Sequence, residues 1–535
     1  MRGAFTTFAL LVLAAVATSR GEAQEFEWAV RRGGASGSYN YARGIAVDAS
    51  GNVYTVGQGP ASVVKLDSAG DLVWAGVEGA NARDVAVDAG GNVYIAGTFG
   101  GTVDFDPGPG TSYMNSWEGE AFILKLDSAD SFVWAKQLGG GEDPLLTLAE
   151  GVAADASGNV YTVGYFQGTA DFDPGPGVYS LTGPGPCPYD CPADAFISKL
   201  DAAGNFVWAK QLGGESLDHA LDVSVDASGN VHTVGDFQGT ADFDPGPGIY
   251  NLTAVNVEDA FVSKLDTTGN FVWARRLGTV YGDIAYGVVL DASGNVYTAG
   301  RFGSTAFVSK TESAGRVAWT KNFGGLAFGV AVDVDANVYT VGDFWGTQDF
   351  DPGPGTYNLT ATGYRDAFIS KLDGGGDFAW AKKVGGTLGA EGRTIAVDDA
   401  GAIYLAGIFD GTADFDPGPG AYYLTAVSRE DWFILKLAQL PMLKFSDKST
   451  LTWNRLFGEA AYNVYRSDSA VPGMFVCLAS NQADAFATDF EEPTMGAIYA
   501  YLVTAVNSAG QEGSMGFQAV NGNRTTERPN PNPCP

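Results

Sequence analysis

The sequence predicts an all-β protein: a seven-bladed β-propeller closed by its own N-terminal strand and followed by a β-sandwich. Three observations carry this prediction. Short strand patterns recur seven times, each repeat holds four strands, and the repeat is divided between the two ends of the array.

The first pattern is an apolar strand ending in Asp, a tight turn and a second strand, as in VSVDASGNVHTVG. Its strand-ending acids are Asp48, Asp88, Asp155, Asp226, Asp291, Asp333 and Asp398. The second pattern, AFISKLD, carries Lys65, Lys125, Lys199, Lys264, Lys310, Lys371 and Lys436. The third, FVWAK, carries Trp28, Trp74, Trp134, Trp208, Trp273, Trp319 and Trp380. Alternating apolar and β-branched residues make each pattern a strand. The DASGN turn suits a hairpin, because Gly and Asn adopt positive φ at little cost. Four antiparallel strands per repeat make a propeller blade.

The ends of the array define its closure. The expected mature chain begins with an isolated fourth-strand pattern, FEWAV (Phe26 to Val30), and the last repeat stops at its third strand, WFILKLA (Trp432 to Ala438). Pairing these two would complete the final blade and remove the free sheet edges that invite aggregation. Residues 24–438 therefore read as one ring. The repeated text, GVAADASGNVYTVGYFQGTADFDPGPG followed by DAFISKLDAAGNFVWAKQLGG, resembles the bacterial β-propeller repeat family called SBBP. Its first half is also similar to NHL-type propeller repeats. The resemblance implies an extracytoplasmic propeller and no single activity, since propellers host many functions.

Before the ring, residues 1–23 have a basic start, an apolar run from Ala4 to Val16 and small residues at Gly21 and Ala23, the layout of a secretory signal peptide. Cleavage after Ser19 competes with cleavage after Ala23. The run is too short for a comfortable membrane span, and no later segment supplies about 18 apolar residues in succession. A secreted, periplasmic or cell-surface location is expected. Such a compartment permits disulfides, with Cys187 and Cys191 in the loop PGPCPYDCPAD as the nearest pair; pairing of Cys477 with Cys534 stays open. After the ring, STLTWN, AYNVYRSD and AIYAYLVTAVNSAG read as strands. With Trp453 early and Tyr499 or Tyr501 late, residues 439–522 resemble a fibronectin type III sandwich, a spacer or adhesion module. Residues 523–535 are a Pro-rich tail.

Composition bounds the partners. The 535 residues carry 62 acids and 31 bases, a net charge of −31. That excess argues against nucleic acid and against anionic membranes, which attract basic surfaces. Five blades insert T-x-D-F-D-P-G-P-G between their second and third strands, placing Asp104 with Asp106, Asp171 with Asp173, Asp242 with Asp244, Asp349 with Asp351, and Asp414 with Asp416. Alternation puts both Asp on one face of a small hairpin and Phe on the other. A further acid precedes the third strand in the same blades: Glu120, Asp194, Asp259, Asp366 and Asp431. These fifteen acids are expected to crowd one rim as an acidic binding face. Ca²⁺ is the cofactor such a face could hold, because hard cations take carboxylate and carbonyl oxygens. The competing reading makes the paired Asp residues turn formers.

The repeated Lys, Asp and Trp are expected to be structural, since a catalytic group is needed once. The Lys is expected to pair with a strand-end Asp or turn carbonyls. His219 and His232 are the two histidines, and no HExxH, GxSxG, P-loop or CxxC motif is present. The sequence therefore reads as a secreted or cell-surface binding or adhesion protein for an extracellular protein or glycan. Two alternatives stay open: an extracellular hydrolase or lyase acting on a polysaccharide, and a structural surface or matrix component. A set of unlike polar residues around one pocket would favour the enzyme.

Overall fold

A computed structural model describes residues 24–33, 40–140, 146–184 and 192–439, together with six strand segments between 444 and 506. The expected signal peptide, Cys187, Cys191 and Cys534 lie outside the described residues, as does the 523–535 tail.

Seven four-stranded antiparallel blades lie between Gln24 and Gln439, six of them with their strands in chain order. The fourth blade is typical, with strands Asp218–Val225, Val231–Phe237, Asp259–Leu265 and Phe271–Leu277. Every residue of its second and third strands is buried, whereas the first and fourth strands alternate. Neighbouring blades cover both faces of the middle strands, so these are apolar almost without a break. The first strand borders the central channel and the fourth borders solvent.

The last blade is made from both ends of the ring. Gln24–Arg32 pairs antiparallel with Asp431–Gln439, from Gln24 opposite Gln439 to Arg32 opposite Trp432. Arg31 lies 2.5 Å from Asp431 and Lys436 lies 3.0 Å from Glu27 across this seam. Lys382 of the preceding blade donates to the Gln24 carbonyl at 2.9 Å, and Trp432 donates to the Gln58 carbonyl of the first blade at 3.2 Å. The last blade is thus tied to the ring on both sides.

The repeated residues hold the blades. Asp48 accepts the N–H groups of Ser50 (2.8 Å) and Asn52 (2.9 Å), and its second oxygen accepts the Asn52 amide (2.7 Å). This leaves Gly51 at φ +78°, a conformation glycine adopts freely. Five of the seven repeated Lys residues find partners of the expected kind, a strand-end Asp or a turn carbonyl, while Lys65 and Lys436 pair with other carboxylates, Asp130 and Glu27. Lys65 reaches Asp130 at 2.7 Å, Lys264 reaches Asp226 at 3.1 Å, and Lys125 donates to the Ala202 carbonyl at 3.1 Å. Six of the seven also sit over a second-strand Tyr, as Lys371 does over Tyr339 at 4.7 Å. In the fourth blade His232 takes the place of that Tyr; burial, with Lys264 nearby, lowers it to about 4, so it stays neutral. The Trp residues lie under the next blade's outer turn: Trp208 donates to the Thr267 carbonyl at 3.3 Å.

Beyond the ring, two three-stranded antiparallel sheets form. One holds Lys444–Phe445, Thr450–Thr452 and Phe486–Thr488; the other holds Val476–Gln482, Ala461–Ser467 and Ala500–Val506.

Candidate functional site

The five D-x-D segments form the hairpins expected of them, and their carboxylates are engaged within those hairpins. Asp242 accepts the N–H groups of Asp244 (3.0 Å) and Tyr250 (2.8 Å), and Asp244 accepts that of Gly246 (2.9 Å). Asp104 with Asp106, Asp171 with Asp173, Asp349 with Asp351, and Asp414 with Asp416 repeat this arrangement. The intervening Phe residues, Phe105, Phe172, Phe243, Phe350 and Phe415, are buried on their blades. Four of the hairpins also reach the outer strand of the preceding blade. Asp242 pairs with Gly213 and Asp414 with Gly385, while the Asp171 and Asp349 carbonyls accept from Gly139 and Gly324 at 2.8 Å. The pairs are therefore spread one per blade around the outer rim. Among the described residues no three His, Cys, Asp or Glu side chains gather as a metal group.

The acids before the third strand do not stand on an open face. Asp259, Asp366 and Asp431 are fully buried and Asp194 is 3% exposed. Each of the first three receives a backbone N–H from four residues earlier, as Val255 gives Asp259 at 2.9 Å. Each is then neutralised from its outer strand: Arg276 lies 2.5 Å from Asp259, Lys383 lies 3.0 Å from Asp366, and Arg31 serves Asp431. In the second and third blades an uncharged Gln takes the cation's place, Gln137 at Glu120 and Gln211 at Asp194. The expected display of these acids is thus corrected. Burying a carboxylate is tolerable only with such partners, and the neighbouring outer strand provides them.

The unlike residues of the molecule meet at the centre instead. Every first strand carries a one-residue bulge, falling between Ala42 and Gly44 in the first blade and at the equivalent place in the other six. The extra residues are Arg43, Arg83, Glu150, Leu221, Tyr286, Phe328 and Arg393, no more than three alike. A bulge re-aims its side chain, and all seven turn into one central cavity of about 420 Å³, shared with Tyr41, Tyr165 and His219. The opposing second strand makes room with a glycine: a Cβ on Gly57 would lie 1.8 Å from the Tyr41 carbonyl oxygen. A second cavity of about 370 Å³ shares the seven bulged residues and is also lined by Asp84 and Asp222.

The mouth is richer in cations than the chain as a whole. Arg83 lies 3.3 Å from Glu150. Arg393 pairs with Glu391 and lies over the Phe328 ring at 4.5 Å. Arg43 is exposed to the cavity; crowding by the surrounding protein, with Arg83 and Arg393 nearby, lowers its guanidinium to about 10 against the pull of Glu150. It remains charged at neutral pH. On the opposite wall His219 packs tilted against Tyr165 at 4.4 Å, and its Nδ1 lies 3.2 Å from Asp236. Burial would lower His219, but Asp236 outweighs it and the imidazole is raised. In the second cavity Asp84 accepts from Val152 (2.9 Å) and Asp222 from Val288 (2.7 Å), joining neighbouring inner strands. Enclosure pushes both carboxyls up, and the Asp84 charge adds to the effect at Asp222.

These shifts set the pH dependence of stability. Burial raises Asp194 and Asp343 to about 6 and Asp218 to about 7. A raised acid binds its proton more tightly when folded, so stability rises as pH falls through the folded value towards about 4. Acids that are lowered, such as Asp266 at about 2 and Asp226, act oppositely, and their contribution is lost below about pH 4. Urea unfolding is therefore expected to show a stability maximum near pH 5. The gain over pH 8 should be on the order of 3 kcal/mol. A maximum at pH 8 would contradict the assigned burial.

No family model matches the chain. An uncharacterized WD repeat-containing protein of Acanthamoeba polyphaga mimivirus is 27% identical over 122 residues, covering 20% of this chain and 8% of that protein. The regulatory protein FlaEY of Caulobacter vibrioides is 26% identical over 109 residues, covering 20% of this chain and 11% of that protein. The chain thus spans about a tenth of the length of these relatives. Among solved structures, a virginiamycin B lyase from Staphylococcus aureus aligns over 77% of this chain and 98% of its own, with 8% identity and a TM-score of 0.40. A puromycin hydrolase aligns over 78% of this chain and 59% of its own, with 10% identity and a TM-score of 0.39. The chain's own strand order and register establish it as a seven-bladed β-propeller.

Proposed function

We propose that the protein is an exported binding protein of the SBBP propeller type that takes its ligand in the mouth of the central channel, with the C-terminal sheets as a fibronectin-like spacer. One observation carries the reading. The bulged position does not follow the sevenfold repeat, and it lines the cavity. Blade packing alone would favour the same residue seven times. Selection for a ligand accounts for Arg, Glu, Leu, Tyr and Phe at equivalent places. The apolar leader supports export, and the uniform hairpins suit a role as inter-blade straps.

A binding screen of the purified protein against polysaccharides and matrix proteins, with and without Ca²⁺, tests this. The mouth-filling variant Leu221→Trp is expected to abolish whatever binding the screen finds. The hairpin variant D242N/D244N is expected to leave it intact. The reverse pattern, or binding and melting that both require millimolar Ca²⁺, would move the site to the D-x-D rim.

A second reading, a hydrolase or lyase at the same mouth, is favoured by His219. Its ring is held by Asp236 and Tyr165 and could exchange a proton with a bound ligand. Product release from a bound polysaccharide, lost in His219→Gln, would establish it.

A further inference from the structure

We infer that the ligand of the mouth is an acidic sugar, its carboxylate or sulfate taken by Arg43 and its ring lying against Tyr286 and Phe328. The inference rests on the mouth being the ligand site. Its basis is the one bulge-position cation there without an ion pair among the described residues. Arg83 has Glu150 and Arg393 has Glu391. Arg43 has no ion pair of its own, only the longer-range pull of the Glu150 that Arg83 holds; its aromatic neighbour is Tyr41, at 5.9 Å. Three guanidiniums face one cavity of a protein whose net charge is −31.

A guanidinium that faces a cavity beside two others, with no carboxylate in ion-pair contact, is a ready partner for an added anion. Guanidinium takes carboxylate or sulfate through two parallel N–H bonds, a geometry that lysine cannot match. The cavity falls within the range of small-ligand sites, roughly 300–1,000 Å³. Beside the arginines, Tyr286 and Phe328 pack at 5.4 Å, offering an apolar wall to a ring. Further rings stand free on hairpins and connections at the same end of the ring: Trp117 is 88% exposed, Tyr364 83% and Tyr281 64%. They give a longer sugar chain places to stack beyond the mouth. The acidic body repels a polyanion laid across it, but that repulsion is screened within about 8 Å at physiological salt. A chain end entering the mouth avoids most of it.

The test uses the full chain and a panel of uronate and sulfated oligosaccharides. Each is paired with its methyl-esterified or desulfated counterpart, and inorganic sulfate is a separate arm. At least one acidic sugar is expected to bind and raise the melting temperature, and its neutral counterpart to bind about tenfold more weakly or worse. Arg43→Ala is expected to erase that preference. It should not lower the melting temperature of the free protein, because it relieves repulsion from Arg83 and Arg393; Arg43→Lys should restore binding only in part. Equal binding of acidic and neutral sugars would overturn the anion assignment while leaving the mouth in place. Binding of inorganic sulfate but of no sugar would overturn the ring. Sugar binding that Leu221→Trp leaves unchanged would remove the mouth reading itself.

Discussion

Deleting Gln24–Arg32 is expected to abolish cooperative folding of the ring. The deletion exposes the backbone edge of Asp431–Gln439, a free strand edge on an otherwise closed ring. It leaves the fully buried Asp431 without Arg31. The stretch from Trp432 to Leu437, buried apart from Lys436, loses its outer cover. Another chain is then free to pair along that edge, so aggregation should follow. The expected cost is roughly 5 kcal/mol or more, comparable to the whole net stability of a domain. Size-exclusion chromatography and thermal melting check it. A peptide of the Gln24–Arg32 sequence added in trans should restore part of the transition. A truncated protein that stays monomeric and melts as the full chain does would refute strand closure.

Phe243→Ala is expected to destabilise the protein by about 4 kcal/mol, the cost of emptying a large buried aromatic site. Phe243 is 1% exposed and packs on Phe261 at 4.9 Å and Phe237 at 5.4 Å. Its removal also loosens the strap that Asp242 and Ala241 make with Gly213 and Gly214 of the preceding blade. Asp242→Ala removes two acceptor contacts near the surface and should cost about 1–2 kcal/mol. Urea unfolding of both variants orders the two effects. A larger loss from Asp242→Ala, appearing only with Ca²⁺ present, would show that the carboxylate serves a cation as well as the turn.

Much of the fold was legible because blade packing imposes one requirement seven times. Lys264, Asp226 and Trp273 could be read as structural from repetition alone, and the structure gives each a structural partner. The hairpins were legible for the same reason, since Asp-Pro-Gly states its own turn chemistry. The acids before the third strand misled because sequence shows charge but not the partner that buries it. Arg276 lies 17 residues from Asp259, and Arg31 lies 400 residues from Asp431.

The mouth was hidden for the same reason that the ring was plain. Repetition marks what recurs, and Arg43, Glu150, Tyr286 and Arg393 occupy a position that does not. The signal lay in the residue just before the Gly, Asp or Thr of each first strand, which differs among most blades. His219 was legible as a residue near a connection, and its partner Asp236 belongs to a second-strand position that also varies.

Strand periodicity, turn residues and the divided repeat are patterns written along the chain, so the sequence by itself determined the blade, the blade count and the seam between Gln24–Arg32 and Asp431–Gln439. Which charges face water depends on contacts between residues far apart in the chain, and only the tertiary structure decided that. Closure of the ring buries the third-strand acids beside their partners and brings seven bulged residues from seven blades around one cavity. Net charge is a sum over the chain. The field at the mouth depends on distance, which is why a protein of charge −31 presents arginine at its centre.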